Sequence, residues 1–243
     1  MIRAGVGQST HASTAQAVEE ALDLALARAG CGQADAAVIF FSVEHAAPER
    51  GLAELVQRRA GTERIAGCSS SGVLTSGGEV EGGHGLAALV LASDQMDCRP
   101  FLFKPLQEHE SAIGADLARL AESCAGSTAL TALFPDTYHG QAQRFLEALH
   151  DERGFTPVVG AGASESGLAQ ATYQLGGQGI VNNAVAGVHF SGSFQAHIEI
   201  TQGCQPITEP MVITKATRNY VYEINERPAL EVFAGVLKGP LAE

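Results

Sequence analysis

Apolar and polar residues follow each other along the chain with two different periods, and these periods separate helices from strands. From Val18 the apolar positions recur every three or four residues, which predicts a helix with one buried face that ends at Gly30. Ala36–Phe41 is an unbroken apolar run, which is typical of a strand buried on both faces. The pattern next predicts a helix around Leu52–Val56 and strands near Ile65–Ala66, Leu86–Leu91 and Cys98–Phe103.

The same order of elements begins again in the second half of the chain. Phe40 and Phe134 lie 94 residues apart, and Gly67 and Gly162 lie 95 apart, so the two copies keep a nearly constant offset. The second set of predicted elements comprises helix Gly114–Cys124, strand Ala129–Phe134, helix Gln141–Leu149 and strands Pro157–Gly160, Ala184–Phe190 and Phe194–Ile200.

This repetition predicts the fold class and its division. We expect an α/β fold, a duplicated α/β module with mixed sheets flanked by helices, because alternating helices and strands imply parallel strands joined through crossover helices. Each unit is expected to close with an antiparallel pair of strands. Residues 1–107 and 108–202 are predicted to be the two units, and residues 203–243 a third region with a helix at Leu230–Leu237.

Charge and cysteine content narrow the class of protein. The net charge is −12 and the Lys and Arg residues do not cluster, so we expect neither nucleic acid nor a membrane surface as a partner. The longest apolar run, Leu86–Ala92, is too short to cross a bilayer, and the first residues lack an apolar signal segment. The five cysteines form no C-x-x-C pair, which is the pattern of reduced thiols and predicts a cytoplasmic protein without a zinc site.

Both copies place small and polar residues directly after predicted strands, where parallel α/β sheets bind ligands. Backbone N–H groups and hydroxyls in such loops can hold a carboxylate, an amide or another compact polar group. Two facing loops would form a cleft with pseudo-twofold symmetry, and the alternative is that they are only tight turns. The candidate ligand-binding residues are His45, Gly67, Cys68, Ser69, Ser70 and Ser71 in the first copy and His139, Ser164, Glu165 and Ser166 in the second.

Cys68 also permits a different hypothesis, that of a cysteine nucleophile with His45 as its base in a hydrolase or transferase. Against this hypothesis, Ala163 aligns with Cys68 in the second copy, and no third residue that would orient the histidine is evident. We therefore expect Cys68 to be a structural, buried residue and predict no catalytic residue. The histidines form no H-x-x-x-H pair, so no metal site is predicted either.

Several segments together resemble one protein family. The loop at residues 65–72, IAGCSSSG, is similar to the GCSxxG signature of FIST N-terminal domains. The segments at residues 202–207, 211–216 with 221–224, and 227–232 are similar to the family's connection between its two halves. The resemblance covers essentially the whole chain.

This resemblance implies a bacterial sensory domain in signal transduction that binds a small polar ligand, such as an amino-acid-like metabolite, without a cofactor. It also implies a signalling partner, such as a histidine kinase or a cyclic-dinucleotide enzyme. Some relatives are haem proteins that sense nitric oxide, so haem held by His45 or His139 is the alternative. Family members usually continue into a complete C-terminal half. Residues 203–243 are therefore expected to be the truncated start of that half, in a fragment or in a short member that forms a homodimer.

Overall fold

The structure is a computed structural model that describes residues 1–123, 128–200 and 203–237. Contacts divide the chain into two units, Met1–His197 and Ile198–Glu243, and each is described by itself. Cys124, the last residue of one predicted helix, lies outside the described residues.

The unit Met1–His197 repeats one order of strands and helices. The first copy comprises β1 (Ile2–Ser9), α1 (Thr14–Ala29), β2 (Ala36–Phe41), α2 (Leu52–Ala60), β3 (Ile65–Ser69), β4 (Gly72–Thr75), β5 (Gly78–Glu81) and β6 (Leu86–Ser93). The second copy comprises β7 (Met96–Phe103), α3 (Glu110–Glu122), β8 (Thr128–Pro135), α4 (Ala142–Arg153), β9 (Val158–Gly160), β10 (Gln174–Gly176), β11 (Gly179–Val181) and β12 (Val185–Gly192).

The two main sheets have equivalent strand orders. The first sheet runs β1-β6-β2-β3-β10-β11 and the second runs β7-β12-β8-β9. In each copy the two strands joined by a crossover helix are parallel, β2 with β3 and β8 with β9, as predicted. The hairpin β10–β11 lies between β9 and β12 of the second sheet along the chain, yet it extends the first sheet through antiparallel pairing of β10 with β3. The hairpin β4–β5 forms a two-stranded sheet of its own.

Two sequence predictions about the ends of the copies are wrong. β6 and β7 were expected to pair with each other, but β6 lies between β1 and β2 while β7 pairs with β12. Residues 194–200 were expected to form a strand beside β12 and do not form one. Both errors have the same cause, because β6 and β12 each have hydrogen-bonded neighbours on both edges and cannot accept a third strand.

This unit has four layers, in the order helices, sheet, sheet and helices, and an apolar cluster lies between each pair of adjacent layers. Helices α1 and α2 cover one face of the first sheet, where Leu22 and Val56 are fully buried. Helices α3 and α4 cover the outer face of the second sheet around Phe145. The inner faces of the sheets pack on each other, and the rings of Phe40 and Phe134 meet there edge to face with centroids 5.2 Å apart. The predicted mixed sheets flanked by helices are therefore confirmed.

Gly67 and Gly160 occupy equivalent positions in β3 and β9. A Cβ atom on Gly67 would lie 1.8 Å from the carbonyl oxygen of Ile39, and one on Gly160 would lie 2.0 Å from that of Leu133. Glycine alone leaves room for these close approaches. The strand register makes Gly160 the counterpart of Gly67, so the alignment of Gly67 with Gly162 is wrong by two residues. The connections differ in length, with two residues between β3 and β4 and thirteen between β9 and β10, so their glycines do not keep the offset of the strands.

The described residues of the unit Ile198–Glu243 form a small antiparallel sheet and one helix. Its elements are β13 (Ile213–Thr217), β14 (Tyr220–Ile224), β15 (Arg227–Pro228) and α5 (Ala229–Val236). The predicted helix at Leu230–Leu237 is confirmed to within one residue. In the part of the chain that the structure describes, no helix is both long and apolar enough to span a membrane.

Candidate functional site

The two Gly-Ser loops, which follow β3 and β9, meet each other. The N–H of Ser164 donates to the carbonyl oxygen of Ser69 at 3.1 Å, and the Ser69 hydroxyl donates to the carbonyl oxygen of Ser164 at 3.0 Å. The N–H of Ser71 donates to the Ser164 hydroxyl at 3.1 Å. The loops thus face each other as expected, but several of their polar groups bind one another instead of pointing into an open cleft.

The Cys68 side chain points away from these loops, into the layer between the sheets. It is 4% exposed, and burial raises the pKa of its thiol to about 12, so the thiol is protonated at neutral pH. The strand register makes Ala161, and not Ala163, its counterpart in the second copy. A cysteine nucleophile needs a thiolate and a nearby base. A buried thiol with a raised pKa does not meet these requirements, so the structure argues against the hypothesis that Cys68 is a nucleophile.

His45 is part of the core at the start of α1. Its ring is fully buried, Nδ1 lies 2.9 Å from the Thr14 hydroxyl, and the ring packs on that of His84 with centroids 5.6 Å apart. Burial lowers the pKa of His45 to about 4, with smaller contributions from His84 and the Arg50 guanidinium. His45 is therefore neutral at pH 7 and holds the loop after β2 against α1.

His139 has the equivalent sequence position but a different environment. It follows β8, is partly exposed, and its Nδ1 lies 3.2 Å from the Oδ2 atom of Asp136. Asp136 is 2% exposed and accepts hydrogen bonds from three backbone N–H groups, those of Tyr138 at 2.7 Å, His139 at 3.0 Å and Asn183 at 2.8 Å. The buried carboxylate fixes the loop and directs the imidazole to the surface of the unit.

A cavity of about 330 Å³ opens beside His139. It lies at the starts of two helices, since Glu110 is the first residue of α3 and Gln141 is the N-cap residue of α4. The free N–H groups of such helix starts favour a negatively charged group. Arg144 adds a positive charge, and Glu108 and Glu110 add negative charges. The lining residues are Gln107, Glu108, Glu110, Tyr138, His139, Gly140, Gln141 and Arg144.

Glu165 connects this cavity to the Gly-Ser loop of the second copy. The Tyr138 hydroxyl donates to Oε1 of Glu165 at 2.8 Å, and the N–H of Ala169 donates to Oε2 at 2.9 Å. The Ala169 N–H and then the Tyr138 hydroxyl hold the pKa of Glu165 below its usual value. Of the remaining predicted residues, Ser70 donates its N–H to the carbonyl oxygen of Phe41 at 2.8 Å, and Ser166 is exposed.

The structure thus distributes the predicted site residues over three places. The serine loops meet each other, His45 and Cys68 are in the core, and His139 and Glu165 lie at or beside the cavity. Glu110 and Arg144 were missed, because a charged residue in the first turn of a helix is common and gives no specific signal in a sequence.

The residues around the candidate histidines do not fit haem. The macrocycle needs a broad apolar pocket with an accessible imidazole nitrogen. The cavity beside His139 is bordered mainly by polar and charged side chains, and the His45 ring is enclosed between Thr14 and His84. Within the described residues, no three His, Cys, Asp or Glu side chains are grouped closely enough to hold a metal ion.

The fold and this cavity define the class of protein, a duplicated four-layer α/β domain with a polar candidate pocket at the carboxyl end of a parallel strand. The family model of the FIST N domain matches residues 35–227. The chain therefore belongs to the FIST N-domain family, whose members are bacterial sensory or signal-transduction domains.

Two curated relatives, uncharacterized proteins from two strains of Mycobacterium tuberculosis, are each 24% identical to the chain over 238 residues. The alignment covers 98% of this chain but 60% of each relative, so the chain spans less than two thirds of their length. Among solved structures, cyanuric acid hydrolase from A. caulinodans is similar with a TM-score of 0.41 and 12% identity, over 79% of this chain and 71% of that one. That likeness is too weak to bear on function.

Proposed function

We propose that this domain is a sensor for a small zwitterionic metabolite of the amino-acid kind, which binds in the cavity beside His139. The observation that carries the proposal is the presence of both signs of charge around one cavity of about 330 Å³. This volume lies within the range of small-molecule sites. Membership of a sensory family supports the same function.

Each charged group has a defined role in this proposal. The Arg144 guanidinium and the N–H groups at the start of α4 bind the carboxylate of the ligand. Glu108 and Glu110 bind its ammonium group. His139 faces the ligand with an imidazole that the buried Asp136 carboxylate orients.

The same cavity has a route for transmitting the signal. Tyr138 lines the cavity and donates a hydrogen bond to Glu165, which belongs to the loop that binds Ser69 and Ser71 through Ser164. A ligand that moves Tyr138 would therefore displace a loop shared by both copies. The receiver in this proposal is a separate signalling protein, such as a histidine kinase or a cyclic-dinucleotide enzyme.

Ligand-induced thermal stabilisation tests the proposal. The purified chain is heated with each of the common amino acids and related amino and keto acids in turn. A ligand at about one hundred times its Kd stabilises the folded protein by about 2.7 kcal/mol, which is a clear rise in melting temperature. Titration calorimetry then gives the affinity.

Matched variants localise the binding. Arg144→Gln is expected to weaken binding at least about tenfold, because a hydrogen bond between charged partners contributes about 1.5–3 kcal/mol. Arg58→Gln, an exposed position on α2, is the control and should leave the affinity unchanged. The proposal fails if no zwitterion stabilises the protein, or if Arg144→Gln and Arg58→Gln bind equally well.

A further inference from the structure

The cavity beside His139 lies at a place where the side chains of the first copy bind one another. In the first copy the Thr14 hydroxyl, on the first residue of α1, lies 2.9 Å from Nδ1 of His45. The Arg50 guanidinium, five residues after His45, donates to the carbonyl oxygen of Ala12 at 3.1 Å. The polar groups around the start of α1 are therefore satisfied within the chain.

The corresponding charged groups of the second copy are not paired. Glu110 is the first residue of α3, and Arg144 stands five residues after His139, as Arg50 stands after His45. Both side chains line the cavity of about 330 Å³. Among the described residues, none forms a hydrogen bond or an ion pair with the Glu110 carboxylate or with the Arg144 guanidinium. Charges of both signs thus border the cavity without neutralising each other.

Glu110 differs from the other charged residues of the cavity in being buried. It is 7% exposed, whereas Glu108 and Arg144 are exposed at the mouth of the cavity. The positive end of the α3 dipole stabilises the Glu110 carboxylate in part. Burial of a charge that lacks a paired group still costs free energy, and a cationic group in the cavity would offset this cost.

The two loops that form the cavity are tied together by hydrogen bonds within the chain. Oδ2 of the buried Asp136, in the loop that carries His139, accepts a hydrogen bond from the N–H of Asn183 at 2.8 Å. Oδ1 of Asn183 in turn accepts the N–H groups of Leu106 at 3.0 Å and Gln107 at 2.8 Å, in the loop before α3. The walls of the cavity are therefore preorganised, and a preorganised site loses less conformational entropy when a ligand binds.

The charged groups of the two signs are unequal in number. Glu108 and Glu110 contribute two carboxylates, whereas Arg144 contributes one guanidinium. An amino acid with a neutral side chain would pair its carboxylate with Arg144 and its ammonium group with one glutamate, and the other glutamate would keep no counter-charge. A ligand with one carboxylate and two cationic groups matches the whole set.

We propose that the ligand is a dibasic amino acid, of the class of lysine, ornithine and arginine. Its α-carboxylate and α-ammonium group share one carbon atom, so they bind Arg144 and Glu108, which lie together at the mouth of the cavity. The cationic side chain reaches inward and binds the buried Glu110. This inference rests on the proposed sensor function and narrows its ligand. The ion pair at Glu110 is withdrawn from solvent, so it contributes more to the choice of ligand than the exposed pairs do.

Titration calorimetry with matched ligands tests this assignment on the unmodified chain. Lysine is compared with norleucine, which lacks only the terminal amine, and arginine with citrulline, which has nearly the same shape without the charge. Each charged ligand is expected to bind at least about tenfold more tightly than its neutral counterpart, because a charge-assisted hydrogen bond is stronger than a neutral one. Equal or reversed affinities would overturn the dibasic assignment and leave the sensor proposal standing. If no amino acid binds at all, the sensor proposal fails and the assignment fails with it.

A conservative variant tests the role of Glu110. Glu110→Gln keeps the size of the buried side chain and removes its charge, so the preference for lysine over norleucine should fall to about threefold or less, while the affinity for norleucine changes little. Glu54→Gln, the same change at an exposed position in the first turn of α2, is the control and should keep the full preference. Thermal unfolding monitored by circular dichroism checks that both variants are folded. A loss shared equally by lysine and norleucine would indicate a structural role and overturn the assignment, as would an unchanged preference.

Discussion

Two histidines that occupy equivalent positions in the two copies differ in how deeply their side chains are buried. His45 is fully buried beside Thr14, whereas His139 is partly exposed and held by the Asp136 carboxylate. Asp136 in the second copy occupies the position of Ser42 in the first. The Ser42 hydroxyl accepts a hydrogen bond from the N–H of Gly85. Equivalent backbone positions thus serve a structural role in one copy and border a cavity in the other.

The low pKa of His45 makes the stability of the protein depend on pH. An unfolded chain protonates this residue near pH 6.5, but the folded protein does so only near pH 4. As the pH falls from 6.5 to 4 the unfolded state therefore binds a proton that the folded state does not, and the free energy of unfolding decreases, by up to about 3 kcal/mol. Below about pH 4 this contribution levels off.

Urea unfolding at a series of pH values measures this dependence. His45→Gln keeps a polar side chain beside Thr14 but cannot titrate, so the wild type should lose more stability than the variant over this range. Carboxylates titrate in both proteins, and the difference between the two curves removes their contribution. Parallel curves would mean that the folded protein protonates His45 over the same pH range as the unfolded chain, which would contradict the lowered pKa.

At the scale of elements, α1 shows how a sequence pattern becomes packing. Gly5 and Gly7 of β1 let the helix approach closely, since a Cβ atom on Gly7 would lie 2.1 Å from the carbonyl oxygen of Ala21. Leu22 is fully buried in the apolar cluster between the helices and the first sheet, whereas Leu24, whose Cβ lies beside Gly7, is 41% exposed. The helix is thus held mainly by one face.

Alanine substitutions at these two leucines measure that difference within one helix. Leu22→Ala is expected to lower the free energy of unfolding by about 2–5 kcal/mol, because it leaves a cavity in the core. Leu24→Ala should change it by about 0.5 kcal/mol or less, since a solvated side chain loses few contacts. Urea unfolding monitored by circular dichroism gives both values, and similar losses at the two positions would contradict the packing described for α1.

At the scale of the unit Met1–His197, the two copies share one apolar layer, and the second copy adds a hairpin to the sheet of the first. The inner faces of the sheets bury Phe134 against Phe40, and β10 extends the sheet of the other copy. Neither copy therefore completes its own core. We expect the two copies to unfold together in a single transition, because the loss of one exposes the inner face of the other.

Phe134→Ala tests this coupling. The substitution should lower the free energy of unfolding by about 3–5 kcal/mol and keep one transition. Phe233→Ala, at a position that is 59% exposed, serves as the control with a small effect. The chain has no tryptophan, so tyrosine fluorescence and circular dichroism are the two probes, and they should coincide for this unit. Two separate transitions in it would show that the copies fold independently.

Local periodicity determined much of the fold from the sequence. The helix face from Val18 onward, the buried strand Ala36–Phe41 and the repeated order of elements are confirmed, because each depends on residues close together in the chain. The candidate site was harder to predict from the sequence. Convergence of the serine loops was anticipated, whereas the cavity beside His139 depends on Glu110 and Arg144, which come from the starts of two different helices.

What the sequence determined by itself is therefore the α/β class, the duplication and the family, since apolar spacing and short motifs are local properties. Tertiary structure alone decided which sheet each strand joins, which histidine is buried and which polar groups face a common cavity. These outcomes depend on long-range pairing, such as that of β10 with β3 across more than a hundred residues. Nearly every residue has the same backbone donor and acceptor, so the edge of a strand can pair with almost any segment that reaches it. The amino-acid sequence of a strand therefore says little about which strand it pairs with.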